Sequence, residues 1–294
     1  IDARLATEGF RSWYYTGGDE EEWRTGGFQA RIGRNYGGFI NSVGMLFEAP
    51  SQELEEGARA GYLGYLTVVE YAAENAERLI GLVERARLET IAMGAEPRGE
   101  IAVEMEYAAE EYAVDYTIVR GGGRNDPDGP VDTIQVSGAR LMKRPVATKL
   151  RPRPWAYILP RDAVNAVAML LRHGITVEKL ESPASLQVDA YTVLDVTYEP
   201  AYNHAAATKV EVGEVITQEM EFPAGTYLVP TAQFLGRLVT HMLEPETEDN
   251  VVYWNTMDAW LPRPGSGGNS GGGFRVSEQD QDAPLVPIYK LMTR

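Results

Sequence analysis

Between Ser51 and about Met93, apolar residues recur three or four positions apart, with acidic residues and arginines between them. This is the period of an amphipathic α-helix, so the pattern predicts one long helix with Ser51 as its N-cap and Gly94 at its end. Several internal glycines favour a kink or a break. We expect one apolar face of this helix to pack against the C-terminal part of the chain; it consists of Leu54, Tyr62, Tyr65 and Val69.

From residue 99 to residue 150 the period changes to two, as in Ile101, Val103 and Met105. This alternation and the Gly/Pro-rich loop at 121–130 predict a β-meander or hairpin array. The loop and its flank carry three acidic side chains, but they lack the ligand spacing and the closing Glu of a calcium loop. A polar loop is therefore the favoured interpretation of Asp126, Asp128 and Asp132.

The C-terminal half alternates short apolar runs with helical periods, which predicts an α/β unit. Its expected elements are strands at 155–159, 175–180, 190–196, 209–221 and 284–291, a helix at 162–173, and a helix from a Thr231 cap to about Leu243. Gly174 closes the first helix as its C′ residue, which gives His173 a structural role. Near the N-terminus, the apolar run 43–47 predicts a further strand that ends at Glu48.

The chain has 27 Lys+Arg and 43 Asp+Glu, a formal net charge of −16. This excess of acidic residues argues against nucleic acid as a partner, because proteins that bind nucleic acid neutralise its phosphates with an excess of basic residues. One local basic cluster stands out, and a solvated hairpin edge is its favoured interpretation over a binding strip. It consists of Lys143, Arg144, Lys149, Arg151 and Arg153.

Cysteine is absent, which excludes disulfides, Cys-ligated zinc, iron–sulfur clusters and thiol nucleophiles. No apolar run approaches the roughly 20 residues that span a bilayer, so we expect no membrane span. No signal peptide is visible, and the first residue is Ile1 rather than Met. We therefore expect a processed or fragmentary polypeptide.

Three kinds of candidate site residue emerge from the pattern. His241 and Glu244 are three residues apart on a predicted helix and share a face, but two ligands do not make a zinc site, and a packed helix is favoured. Glu48 is equally compatible with a general base at a strand end and with an acid that favours the following helix dipole. Tyr14, Tyr15 and Tyr36 either line a pocket or cover a core edge.

The chain resembles the zinc metallocarboxypeptidases, in particular large bacterial members in which a helix and a β-rich region follow the peptidase domain. The segments that carry the resemblance are Arg34–Gly38, Val43–Glu48, Arg153–Tyr157, Leu171–Ile175, Pro223–Thr226, Leu243–Glu246, Trp254–Asn255 and Pro287–Tyr289. Each segment is short, and their common order covers most of the chain.

The resemblance implies that Glu48 is the general base and that Tyr36, or less favourably Tyr15, is the substrate-binding tyrosine. The family's His-x-x-Glu zinc motif precedes this segment, so zinc would come from an upstream segment or partner chain, and this chain alone would hold no metal and be inactive. The intact protein would hydrolyse C-terminal peptide bonds of peptide substrates. The expected location is extracellular or periplasmic.

The resemblance also implies a domain organisation within the α/β class. Residues 1–95 would be the C-terminal end of a carboxypeptidase-like domain, at the edge of its mixed sheet and including the long helix. Residues 96–150 would form the β-meander and 151–294 the α/β domain. The alternative hypothesis is a catalytically dead scaffold or assembly protein, such as a homo-oligomer, on the same fold. A weaker hypothesis is a carbohydrate-binding module built on Trp13, Trp23 and the tyrosines.

Overall fold

The computed structural model describes residues 1–49, 53–121, 129–262 and 283–294, together with the backbone of 274–275. Ser51, Asp126 and Asp128 therefore lie outside the described residues. The chain divides into two compact units. The first unit contains Ile1–Phe28, Met45–Leu82 and Met105–Thr148, and the second contains Gln29–Gly44, Val83–Glu104 and Lys149–Arg294. The domain boundaries expected from the sequence stay a prediction.

Six α-helices are described, and the predicted α/β class is confirmed. The helices are α1 (Asp2–Thr7), α2 (Gly33–Phe39), α3 (Leu54–Glu74), α4 (Ala76–Ala95), α5 (Val164–Arg172) and α6 (Gly236–Leu243). The helix expected from Ser51 to Met93 corresponds to α3 and α4, which meet at Asn75, where the backbone departs from helical geometry. No helix of the described residues is long and apolar enough to cross a membrane.

The first of two sheets has four strands in the order β1-β2-β4-β3. They are β1 (Thr16–Gly18), β2 (Glu22–Thr25), β3 (Glu100–Arg120) and β4 (Asp132–Pro152). The two long strands are the hairpin that the alternation predicted, and β2 adds to it in parallel. Trp23 and Tyr116 make an edge-to-face contact at 4.3 Å beside the buried Leu141, which gives this sheet a small core.

The second sheet has seven strands, and every recorded strand pairing is antiparallel. Its strands are β5 (Ala156–Leu159), β6 (Glu178–Lys179), β7 (Ala184–Tyr198), β8 (Thr208–Phe222), β9 (Tyr227–Pro230), β10 (Phe274–Arg275) and β11 (Leu285–Leu291). The order is β10-β7-β11-β5-β9-β6, and β8 pairs with β7. β5 and β11 thus lie at the centre of the sheet.

Alternating residues of the central strands divide the core of the second unit into two layers. Tyr157 and Ile288 belong to the larger layer, which also contains the apolar faces of α5 and α6. Ile158 and Tyr289 belong to the layer on the opposite side of the sheet. Because side chains of a strand point alternately to opposite faces and both faces are covered, the central strands are almost entirely apolar, with Lys290 of β11 as the charged exception.

The strand expected at residues 43–47 is wrong. Residues 43–49 form no strand, and Val43, Met45 and Leu46 are exposed. Gly44 instead approaches the backbone of Arg34, where a Cβ atom would come within 2.4 Å of the carbonyl oxygen. This contact holds the segment against α2 rather than in a sheet, so the apolar run gains no strand partner.

The packing expected for the long helix is also wrong. Its predicted contact face is exposed, with Leu54 at 89% and Tyr62, Tyr65 and Val69 above 60%. The buried positions of α3 are Leu63 and Gly64, and Gly64 lies against Phe47. A period of three to four marks a helix but does not identify which face is covered.

The C-terminal elements are mostly confirmed, with two shorter than expected. The strand predicted at 175–180 is reduced to Glu178–Lys179. The last helix begins at Gly236 rather than after a Thr231 cap, because the Thr231 hydroxyl donates to the carbonyl oxygens of Pro154 and Trp155. His173 is the C-cap residue of α5 and is followed by Gly174 with φ of 81°, as predicted.

At Gly94, α4 lies in close contact with the backbone of Thr231 within the second unit. A Cβ atom there would lie 2.3 Å from the carbonyl carbon of Thr231, whereas one at Gly61 of α3 would meet nothing within 4 Å. We expect Gly94→Ala to lower the free energy of unfolding by about 1–3 kcal/mol through overpacking. Gly61→Ala is the control and should stabilise slightly, since alanine favours helix. Urea denaturation measures both, and equal effects would contradict the close packing.

Candidate functional site

The three residues that the family resemblance assigns to the active site do not form one cluster within a unit. Glu48 and Tyr15 belong to the first unit and Tyr36 to the second. Glu48 is exposed in a segment without regular secondary structure that precedes α3. Tyr15 is half-exposed and directly precedes β1. Their assignment to a catalytic site therefore stays a prediction.

Tyr36 has a defined partner within the second unit. It lies on α2 and packs against the larger core layer, and its hydroxyl shares a 2.8 Å hydrogen bond with Nδ1 of His173. Burial raises the pKa of Tyr36, whereas burial and the nearby Arg172 lower the pKa of His173. Both shifts favour the neutral forms, so near neutral pH the pair is a hydrogen bond between two uncharged groups.

A fully buried carboxylate lies at the centre of the second unit. Tyr157 donates a hydrogen bond to Oε1 of Glu244 and Tyr191 donates one to Oε2, each at 2.6 Å. The ammonium group of Lys290 lies 2.7 Å from Oε1. All four side chains are buried, with Glu244 at 0% and Lys290 at 3% exposure. The carboxylate is thus neutralised and hydrogen-bonded on both oxygens, as buried charges require.

The strands and α6 place these four groups together. Lys290 of β11 is paired with Tyr157 of β5 in the strand register, and Tyr191 comes from the adjacent β7. Glu244 is the C-cap residue of α6, which packs on that face of the sheet. Burial and the nearby Glu244 carboxylate raise the pKa values of Tyr157 and Tyr191, so both tyrosines remain protonated donors.

Glu246, two residues further on, makes a second ion pair within the same unit. Arg151 binds it through two nitrogen atoms at 2.5 and 2.7 Å, and Lys149 lies 2.6 Å from it. Burial alone would raise the pKa of Glu246, but the hydrogen bonds from Arg151 and Lys149 outweigh burial and lower it. The segment Leu243–Glu246 therefore connects the end of α6 to the second sheet through Glu244 and to the end of β4 through Glu246.

The zinc hypothesis for His241 and Glu244 does not fit this geometry. Both oxygens of Glu244 are already engaged, and a metal bond would break the contacts with Tyr157, Tyr191 or Lys290. The His241 ring packs against the Phe39 ring at 4.2 Å with a tilt of 38°, and its buried Nε2 has no hydrogen-bond partner among the residues that the structure describes. Within the described ranges, no group of three or more His, Cys, Asp or Glu is arranged to hold a metal ion.

Sequence reasoning missed the partners of Glu244, although one signal was present. Val286, Ile288 and Lys290 occupy alternate positions of one strand, so they point to the same face. A lysine at the next inward-facing position after apolar residues predicts a buried acidic partner, because burying an ammonium group without a counter-charge costs much free energy. The sequence does not identify that partner, since Glu244 is 46 residues away.

A shallow depression of about 380 Å³ lies between α4 and the loop before α6. It is lined by Glu84, Arg87, Leu88, Ile91 and Phe234. The guanidinium of Arg87 lies over the Phe234 ring at 5.6 Å, a cation–π contact that covers part of the ring. The depression contains no cluster of groups arranged for acid–base chemistry.

Comparison with known proteins relates the chain to carboxypeptidases. Over 241 residues it is 25% identical to carboxypeptidase 2 of Trichophyton tonsurans and 26% identical to carboxypeptidase 2 of Trichophyton rubrum. Both alignments cover 78% of this chain and 41% of the relative. A probable carboxypeptidase 2 of Arthroderma benhamiae is 25% identical over 235 residues, which is 76% of this chain and 41% of the relative.

These similarities support a carboxypeptidase-like relationship for the chain. The chain spans about two-fifths of the length of the curated relatives it matches. No family model and no solved structure matches it.

The buried carboxylate gives the first prediction for this site. We expect Lys290→Met to lower the free energy of unfolding by about 3–5 kcal/mol, because the Glu244 charge would stay buried without its cation. Combining it with Glu244→Gln should cost less than the sum of the two single changes, since the two residues share one interaction. Urea denaturation measures all three variants.

The control is Arg161→Met, which removes one partner of an exposed ion pair with Asp162. Such a pair contributes little, so the change should stay within about 0.5 kcal/mol. A Lys290→Met variant as stable as this control would refute a buried, charged Glu244.

His241 gives a prediction for pH dependence. Burial lowers its pKa to about 4, with Asp249 opposing the shift, whereas unfolded histidine titrates near pH 6.5. As the pH falls from about 6.5 to 4, the unfolded chain binds a proton that the folded protein does not. The free energy of unfolding should therefore decrease across this window, by up to about 3 kcal/mol from this residue.

Urea titrations between pH 7.5 and 4 test this assignment. We expect His241→Gln to lose that part of the pH dependence and His204→Gln, a change on a partly exposed loop ring, to retain it. An unchanged pH profile in His241→Gln would assign the dependence to other groups.

Proposed function

We propose that this chain is the C-terminal part of a carboxypeptidase-like protein that hydrolyses C-terminal peptide bonds. The supporting observation is the similarity to proteins named carboxypeptidase 2 over 78% of the chain. The proposal concerns the intact protein, whose remaining part would supply the zinc site and a large share of the substrate site. The described residues provide no fitting ligand set, so we assign them no metal-dependent step.

Within this proposal, Glu48 is the general base. Its side chain is exposed in a segment without regular secondary structure, where water and a peptide can reach it. A carboxylate in that position can accept a proton from the attacking water and return it to the leaving amine. The neighbouring Phe47 packs edge-to-face on Tyr65 at 5.5 Å, which anchors the segment to α3.

Tyr36 is the proposed substrate-binding tyrosine, and Tyr15 is the alternative. The Tyr36 hydroxyl already shares a hydrogen bond with His173. Binding substrate would therefore require Tyr36 to exchange this partner for a substrate oxygen. Tyr15 is half-exposed and belongs to the same unit as Glu48. For this reason Tyr15 is the second candidate for the substrate-binding tyrosine.

A scaffold or assembly function is the second candidate, and a specific observation favours it. The exposed face of α3 presents Leu54, Tyr62, Tyr65 and Val69, which is more apolar surface than a solvated helix requires. In that case the intact protein keeps the carboxypeptidase-like fold and has no peptidase activity. Secretion of the protein is proposed in either case.

Glu48→Gln in the intact protein tests the catalytic role. General acid–base catalysis contributes about 10²–10⁴-fold, so we expect a decrease of that size in the release of C-terminal residues from peptides, measured by mass spectrometry. Glu55→Gln is the matched control, an exposed carboxylate in the first turn of α3, and should retain activity.

The outcomes separate the two candidates. Undiminished turnover in Glu48→Gln refutes its role as the base. Absence of turnover in the wild-type intact protein, together with a stable oligomer by light scattering, supports the scaffold. This chain alone should release no C-terminal residue in either case.

A further inference from the structure

The basic cluster of residues 143–153 was expected to be a solvated hairpin edge, but not all of its side chains are exposed to solvent. Lys143 pairs with Glu110 at 3.0 Å, and Lys149 and Arg151 both bind Glu246. Arg153 differs from these residues. It is only 8% exposed, and its buried Nε and Nη1 atoms find no acceptor among the residues that the structure describes.

The backbone on both sides of Arg153 is fixed within the second unit. Its amide donates to the Gly99 carbonyl at 3.3 Å, and the next carbonyl, of Pro154, accepts from the Thr231 hydroxyl at 2.8 Å. Thr231 in turn lies directly against the backbone of Gly94. These contacts fix the backbone position from which the buried Arg153 side chain extends.

Arg237 is a cation whose charge acts on Arg153. Arg237 lies in the first turn of α6, where helix N-termini carry partial positive charge. Burial is the main cause that lowers the pKa of Arg153; Tyr157 opposes this shift, and repulsion from Arg237 adds to it. An acidic partner would have the opposite effect. The Tyr157 hydroxyl, which is also nearby, already donates to Glu244.

A buried guanidinium group without an acceptor is strongly unfavourable, and such groups in proteins are normally paired. A small oxyanion would meet this need, since its oxygens accept from the planar fork of an arginine and balance both cations. The narrow exposure of Arg153 excludes a bulky ligand at the guanidinium itself.

We propose that Arg153, with Arg237 beside it, binds a small oxyanion, either a carboxylate or a phosphate group. This site is formed by the second unit alone and does not depend on the peptidase proposal. Arg153 would make the direct contacts, and the exposed Arg237 would strengthen binding through its charge.

Anion-dependent stabilisation of the full 294-residue chain tests the site. Sodium acetate and sodium phosphate are titrated at constant ionic strength while Tm is followed. We expect at least one of them to raise Tm in a saturable manner in the wild type. Arg153→Met should abolish the response, and Arg144→Met should keep it, because Arg144 is an exposed residue of β4, the strand that ends just before Arg153.

Arg237→Gln is the second variant, because an exposed side chain can be replaced without loss of the fold. It should weaken the anion affinity by about tenfold or less, as expected for a single screened charge. This measurement remains informative if Arg153→Met does not fold. An Arg237→Gln affinity equal to the wild-type value would overturn the two-arginine site.

Peptide probes distinguish the source of the oxyanion. A tripeptide with a free C-terminus that binds more tightly than both its amide and acetate identifies a peptide carboxylate. Equal affinity for acetate and the free tripeptide identifies a free carboxylate, and a response to phosphate alone identifies a phosphate group. Absence of saturable binding by all probes, or an unchanged response in Arg153→Met, overturns the proposal.

Discussion

The buried contact between Glu244 and its three donors is the interaction on which the second unit depends. Tyr157, Tyr191 and Lys290 come from the three adjacent strands β5, β7 and β11, and Glu244 comes from the end of α6. One carboxylate therefore fixes the helix to three strands at once. Removing any donor would leave buried charge or a buried oxygen unpaired, which costs more than the contact contributes.

This arrangement assigns a structural role to the segment Leu243–Glu246, one of the segments that resemble the metallocarboxypeptidases. Glu244 joins α6 to the sheet, and Glu246 binds Arg151 and Lys149 at the end of β4. Neither acid is available for a metal without the loss of these partners. The proposed catalytic role therefore falls to Glu48 and not to these two acids, and neither acid pairs with Arg153.

The sequence predicted the parts of the fold that follow from local periodicity. The alternation in residues 99–150 predicted the long hairpin, and the apolar runs after Pro152 predicted β5, α5 and β11. The strand prediction at residues 43–47 was wrong, because an apolar run is compatible with a strand but does not show that a neighbouring strand is there to pair with it. The prediction that the Leu54-containing face of α3 is buried was wrong for a related reason, since periodicity does not reveal which other element covers a helix.

The candidate site was less predictable because its contacts join distant residues. Glu244 was identified as a residue of interest, but its donors lie 87, 53 and 46 positions away along the chain. Lys290 could have been recognised as buried from its place in an inward apolar series. The missing partner of Arg153 was not predictable, because four neighbouring basic residues suggest a common solvated edge.

Hydrogen–deuterium exchange of Glu244→Gln tests most directly whether this carboxylate holds the second unit together. The account predicts that amides of β5, β7 and β11 lose protection together, since their common partner has lost its charge, while those of α3 in the first unit do not change. Unchanged protection of the three strands, in a variant as stable as the wild type, would contradict it.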